Sequence, residues 1–211
     1  MNKKTYNMGF SLVELIIVIA IMAILSAAIA PALIRYINKA RKADDIAAAD
    51  SVGATFAAAV SENEDIYDFV QLCASDAKTN DNSMKYRVVC YMKAGYQMDE
   101  FHVVGFSSNQ DLTNRADEEI GEIMGELMGD KIFKLKFSRT KNLDEWIIAV
   151  DRDANVYVFA AGGFGTGCYH LRDNNRVRGR ESTSNVYMLW PTVDPQYNKL
   201  TTPNDVAWKS N

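Results

Sequence analysis

The hydrophobic pattern of the first sixty residues changes character once. From Leu15 to Ile34 twenty residues pass without a formal charge, long enough to cross a bilayer as a helix. From Tyr36 to Val60 the chain is rich in Ala, the best helix former. Here Ile46, Ala49, Gly53, Phe56 and Val60 recur at spacings of three and four, an apolar seam, with Asp44, Asp45, Asp50 and Ser51 assigned to the opposite face. The pattern predicts one helix over 10–62, about 78 Å long. Its first half (10–35) is apolar all round and its second amphipathic, with Pro31 a candidate bend. The amphipathic half would pack on a head formed by residues 63–211.

Beyond the long helix the periods shorten. Ile66, Phe69, Val70 and Cys73 share a face and predict a short helix from Ile66 to about Asp76. Lys85 to Met92, rich in Tyr and Val, predicts a strand, and Phe101 to Phe106 a weaker one. Asp117 to Met128 places Ile120, Met124 and Leu127 at helical spacing behind Glu118, Glu119 and Glu122. Ile132 to Phe137 alternates apolar and basic residues. Trp146 to Val150 and Val156 to Ala160 flank Asp151-Arg152-Asp153-Ala154-Asn155, a hairpin connection. The tail from Pro191 reads as loop. Three or four antiparallel strands behind a long helix define an α+β fold.

Composition narrows the function classes. The chain has 211 residues and a formal net charge of −4, which speaks against a nucleic-acid-binding surface. About 150 residues follow the long helix, enough for one core. No second membrane-length run exists, which excludes a polytopic transporter. Cys73, Cys90 and Cys168 leave an odd thiol; Cys73–Cys90 could pair in an exported domain, but the sequence does not fix the pairing. No C-x-x-C motif supports zinc or redox chemistry.

One residue breaks the apolar pattern where it is expensive to do so. Glu14 stands at the front of the uncharged run, where a mid-membrane carboxylate costs roughly 2.5–3.5 kcal/mol and less near the edge. Before it lies a short polar leader, Met1 to Gly9, with Lys3 and Lys4. A cut after Gly9 would give Phe10 a new α-amino group on the helix face shared with Glu14, and Glu14 would face the positive end of the helix dipole.

The stretch Gly9-Phe10-Ser11-Leu12-Val13-Glu14-Leu15, the apolar run behind it and Pro31 resemble the type IV prepilins and the pseudopilins of secretion and competence systems. The resemblance covers about the first forty residues; nothing after about Asp50 adds to it. It implies a leader over residues 1–9, cleavage between Gly9 and Phe10 by a prepilin peptidase, and N-methylation of Phe10. Glu14 would be the assembly carboxylate, meeting the Phe10 amine of a neighbouring subunit, and Pro31 would let the helix flex in the filament. The implied partners are the peptidase/methyltransferase, other pilin subunits, membrane lipid before assembly, and the pilus or secretion machinery. No nucleic acid, cofactor or catalytic residue is expected. The subunit would begin as a single-pass protein of the cytoplasmic membrane with its head outside, then join a cell-surface filament or pseudopilus.

Other readings of the N-terminus fit less well. A secretory signal peptide ending near Ala28-Ile29-Ala30 would place Pro31 after the cut and leave Glu14 unexplained. An uncleaved anchor would carry a secreted or tethered binding domain that never polymerises. Arg35, Lys39, Arg41 and Lys42 follow the span, and by charge alone they would hold the head inside. The motif argues for the opposite orientation, with the basic cluster free to meet headgroups.

Within the head, Asp151, Asp153 and Asn155 have calcium-loop spacing but lack the mid-loop Gly and the twelfth-position Glu. A hairpin turn is the stronger reading; because some pseudopilins bind calcium, the three residues stay as a weak candidate metal site. Gly162 to Gly167 resembles a phosphate cradle without the following Lys or helix. Cys168 and His170 lack an identifiable orienting acid for nucleophilic chemistry. Arg172, Arg176, Arg178 and Arg180 read as a solvated loop, or as a contact to an acidic neighbour.

Overall fold

A computed structural model describes residues 11–79, 84–93, 101–128, 135–137, 143, 145–162, 170–172, 177–178 and 185–200. The chain divides into two compact units, residues 1–37 and 38–211. The first helix, α1 (Leu12–Glu62), supplies residues to both.

In the first unit every described residue is exposed, Leu12 to Leu25 included. Pro31 is accommodated within α1; its missing N–H leaves a carbonyl one turn earlier without a helical donor.

The second unit is an α+β head. Asn63 separates α1 from α2 (Glu64–Thr79) and caps the latter: Ile66 N donates to Asn63 Oδ1 at 3.1 Å. Then come β1 (Met84–Lys93), β2 (Phe101–Val103), α3 (Gln110–Met128), β3 (Glu145–Val150), β4 (Val156–Gly162), β5 (His170–Arg172), β6 (Val177–Arg178), β7 (Asn185–Trp190) and α4 (Pro195–Lys199). The strands form one antiparallel sheet of order β6-β5-β1-β3-β4-β7, with β2 also on β1. In the β3–β4 hairpin Ile147 faces Phe159 and Val150 faces Val156.

Both faces of this sheet are covered. Ala49, Val52, Phe56 and Ala59 of α1 join Phe69 and Cys73 of α2 and Ile120 of α3 against Cys90, Trp146, Ile148, Val158 and Ala160. On the other face Tyr86, Val88, Ile147, Ala149, Phe159, Ala161 and Val186 form a second buried cluster. This explains why β3 and β4 read as nearly continuous apolar runs rather than as an alternation. A bulge between Val88 and Cys90 in β1 shifts its register against β3, which re-aims side chains from one face to the other. Arg87 fastens α2 to β1. Its Nε donates to Asp76 Oδ2 at 2.8 Å, its other nitrogens reach the carbonyl oxygens of Val88, Val104 and Gly105, and it lies over the Phe106 ring.

Several elements depart from the expectation. The second helix begins at Glu64 and the third at Gln110, each earlier than its apolar spacing alone indicates. The strand expected at Phe101–Phe106 stops at Val103. Of the alternating stretch Ile132–Phe137, only 135–137 lies among the described residues, and it bends rather than forming a strand. The tail contains a helix, α4, because Asp194 caps it: Gln196 N donates to Asp194 Oδ1 at 2.7 Å, and Pro195 presets the first turn. The β7 strand had no counterpart in the sequence reading.

Candidate functional site

The N-terminal site is built on the first turn of α1. Ser11 precedes the helix and Glu14 lies in its first turn. The Ser11 backbone N–H donates to Glu14 Oε2 at 2.9 Å. This is the back-reaching half of a capping box, S-x-x-E, in which the third helical residue satisfies the amide of the cap residue. The carboxylate therefore has a local partner in the isolated chain, and it sits where the helix dipole favours negative charge. A carboxylate accepts more than one hydrogen bond, so this contact leaves acceptor capacity for a second donor. Gly9 and Phe10 lie outside the described residues. Behind Glu14 the apolar residues form an unbroken exposed surface, and α1 is the only helix, among the described residues, long and apolar enough to cross a membrane.

The head candidates sort differently. Asp151 commits its carboxylate to the hairpin: Oδ1 accepts from the backbone N–H groups of Asp153 and Asn155, and Oδ2 from the Asn155 amide and the Tyr157 hydroxyl, at 2.9–3.1 Å. Partial burial raises its pKa, but these donors outweigh that and hold it below the ordinary carboxylate value. Among the described residues no group of three or more acidic, His or Cys side chains could hold a metal. Cys73 and Cys90 are buried free thiols rather than a disulfide; each packs in the helix-side core as a small apolar group. Burial pushes Cys73 up to about 12 and Cys90 higher still, far from a reactive thiolate. Gly162 ends β4, and the rest of the glycine-rich stretch lies outside the described residues, as do Cys168, Arg176 and Arg180 and the side chains of His170, Arg172 and Arg178.

Asp45 is the residue that the sequence pattern misplaced. Assigned to the polar face of the helix, it is instead 1% exposed. Its Oδ1 accepts from Lys136 N at 2.6 Å; its Oδ2 accepts from Phe137 N at 3.1 Å and from the Tyr197 hydroxyl at 2.9 Å. Burial pushes its pKa up, against the pull of those three donors. The signal was present in the spacing: Asp45, Ala49, Val52, Phe56 and Ala59 recur at four and three residues, so Asp45 belongs to the buried stripe, which reaches back to Asn38.

An exposed helical run without formal charge from Leu15 to Ile34, ahead of described residues that form an α+β head, fits the class of precursors anchored in a membrane before assembly. Residues 9–30 match the family model of the prokaryotic N-terminal methylation motif, the prepilin motif of type IV pilins and pseudopilins. The chain thus carries the motif of pilin-like and pseudopilin substrates of a prepilin peptidase, a motif family whose proteins are structural rather than catalytic. No curated protein and no solved structure matches the chain significantly.

Proposed function

We propose that this protein is a structural subunit of a type IV pilus-like filament. It is inserted in the cytoplasmic membrane with its head outside, cut between Gly9 and Phe10, methylated at Phe10 and polymerised through its N-terminal helix. The observation that carries this reading is Glu14 at the front of an exposed apolar helix, inside the matched motif. A lone carboxylate there is costly in lipid, and a neighbour's Phe10 amine would offset that cost once both are removed from water. The exposed apolar surface would serve lipid first and lateral helix packing afterwards. Pro31 would give the packed helix local freedom.

N-terminal peptide mass spectrometry of the mature protein is the direct test. A chain that begins at N-methyl-Phe10 supports the subunit. One that begins at Met1, or near Ile29 or Pro31, supports instead a tethered or secreted binding domain that does not polymerise. Glu14→Ala is expected to be processed as the parent is but to assemble poorly. Normal filaments from that variant would remove the proposed pairing.

A further inference from the structure

Three elements distant in sequence meet at one buried carboxylate in the head. From α1, Lys42 and Asp45 lie on one face. Lys42 Nζ donates to the carbonyl oxygens of Asn198 and Leu200 at 2.9 and 2.7 Å and lies 5.5 Å from the centre of the Phe137 ring. It thereby caps the C-terminal end of α4. Asp45 receives the two consecutive backbone amides of the 135–137 segment and the Tyr197 hydroxyl of α4. Tyr197 is itself fully buried and packs its ring edge on Phe137. The charged groups nearby are few. Asp44 adjoins Asp45 and pairs with Lys136 Nζ at 3.0 Å, at the exposed surface. Lys42 is committed to α4, and Lys199 of α4 is exposed.

The donors differ in kind. Backbone amides can only donate, whereas the tyrosine hydroxyl can donate or accept. An ionised Asp45 takes all three. A protonated Asp45 could give its own O–H to Tyr197 Oη while the other oxygen keeps the Lys136 amide; the Phe137 amide would lose a full acceptor, and the Tyr197 hydroxyl would no longer donate to Asp45. We propose that Asp45 and Tyr197 form a latch that keeps the 135–137 segment and α4 closed on α1 whether or not Asp45 carries a proton, the hydroxyl reversing its direction between the two states. The inference stands on the head alone and is independent of filament assembly.

The test uses the full-length protein in detergent micelles, with amide exchange of α4 and of 135–137 as the readout. Asp45→Asn copies the protonated state: its amide nitrogen can donate to Tyr197 and its oxygen can accept from Lys136. It is expected to keep α4 protection within about tenfold of the parent, the scale of one lost hydrogen bond. Wild-type protection, corrected for intrinsic exchange, should also be alike at pH 7 and pH 4. Tyr197→Phe should weaken protection both in the parent and in the Asp45→Asn background. Asp45→Leu should open the segment in either buffer. The latch is overturned if Asp45→Asn is as open as Asp45→Leu, or if Tyr197→Phe has no effect when added to Asp45→Asn; either result would mean that only the carboxylate holds the strap. Should the Leu variant fail to fold, the Asn and Phe variants and their combination still decide the matter.

Discussion

The Ser11 backbone N–H and the Glu14 carboxylate are joined by a 2.9 Å hydrogen bond within a single chain. Glu14 is therefore a helix cap as well as a candidate counter-charge, and the two roles are separable by substitution. Glu14→Gln keeps an acceptor for the Ser11 amide, since Gln also completes a capping box, but carries no charge. Glu14→Ala removes both. In micelles the first-turn amides of the Gln variant should exchange nearly as in the parent. The Ala variant should lose about 1 kcal/mol of local protection. Neither variant is expected to assemble normally, so a Gln variant that forms ordinary filaments would count against charge pairing while leaving the cap intact.

Gly53 is fixed by packing rather than by backbone freedom. A methyl group there would collide with the indole ring of Trp190. Gly53→Ala gains up to about 1 kcal/mol of helix propensity but incurs an overpacking penalty of about 1–3 kcal/mol. Net destabilisation is expected in a denaturant titration. A stabilised variant would show that Trp190 yields easily.

Arg87 is buried and its guanidinium serves a carboxylate and three carbonyl oxygens. Arg87→Met keeps the stem but strands those acceptors. The cost should approach the roughly 3–5 kcal/mol typical of a broken buried pair, at its lower end of about 3 because Asp76 is partly exposed and can be hydrated. Chemical denaturation monitored by near-ultraviolet signals would measure it.

Asp151 gives a pH dependence with a definite sign. Its folded-state pKa lies below the ordinary 3.8, so the unfolded chain binds the proton more readily. The stabilisation is complete above the unfolded value and is lost as pH falls through the depressed one. Asp151→Asn should therefore be less stable than the parent at neutral pH, with the gap closing below about pH 3.8. A gap that persists unchanged at about pH 2, below the unfolded value, would place the effect in the turn geometry and not in the charge.

Most of the architecture was legible in local pattern. The long helix follows from an uncharged run joined to an alanine-rich seam, and the β3–β4 hairpin from two apolar runs about Asp151 to Asn155. The N-terminal candidate was legible because Gly9, Phe10 and Glu14 stand in a short fixed order. What escaped was set by partners distant in sequence. Asp45 looks like a surface acid until the amides of Lys136 and Phe137 and the hydroxyl of Tyr197 arrive from elsewhere in the chain. The small helix α4 depends on one cap at Asp194 within a stretch whose composition reads as loop. The β7 strand, Asn185 to Trp190, is specified by its pairing with β4 more than by its own short pattern.

The two-sided burial of the central sheet limits how this head can be recognised. Trp146, Ile148, Val158 and Ala160 are inaccessible from one side, and Ile147, Ala149, Phe159 and Ala161 from the other. Neither broad face of β3 and β4 is available as a contact surface, and a substitution there would register as altered folding long before it altered a choice of neighbour. Specificity toward other molecules must be written on helix exteriors, loops and strand margins. Those regions can diverge without disturbing the core, so that one framework can be refitted to different assemblies.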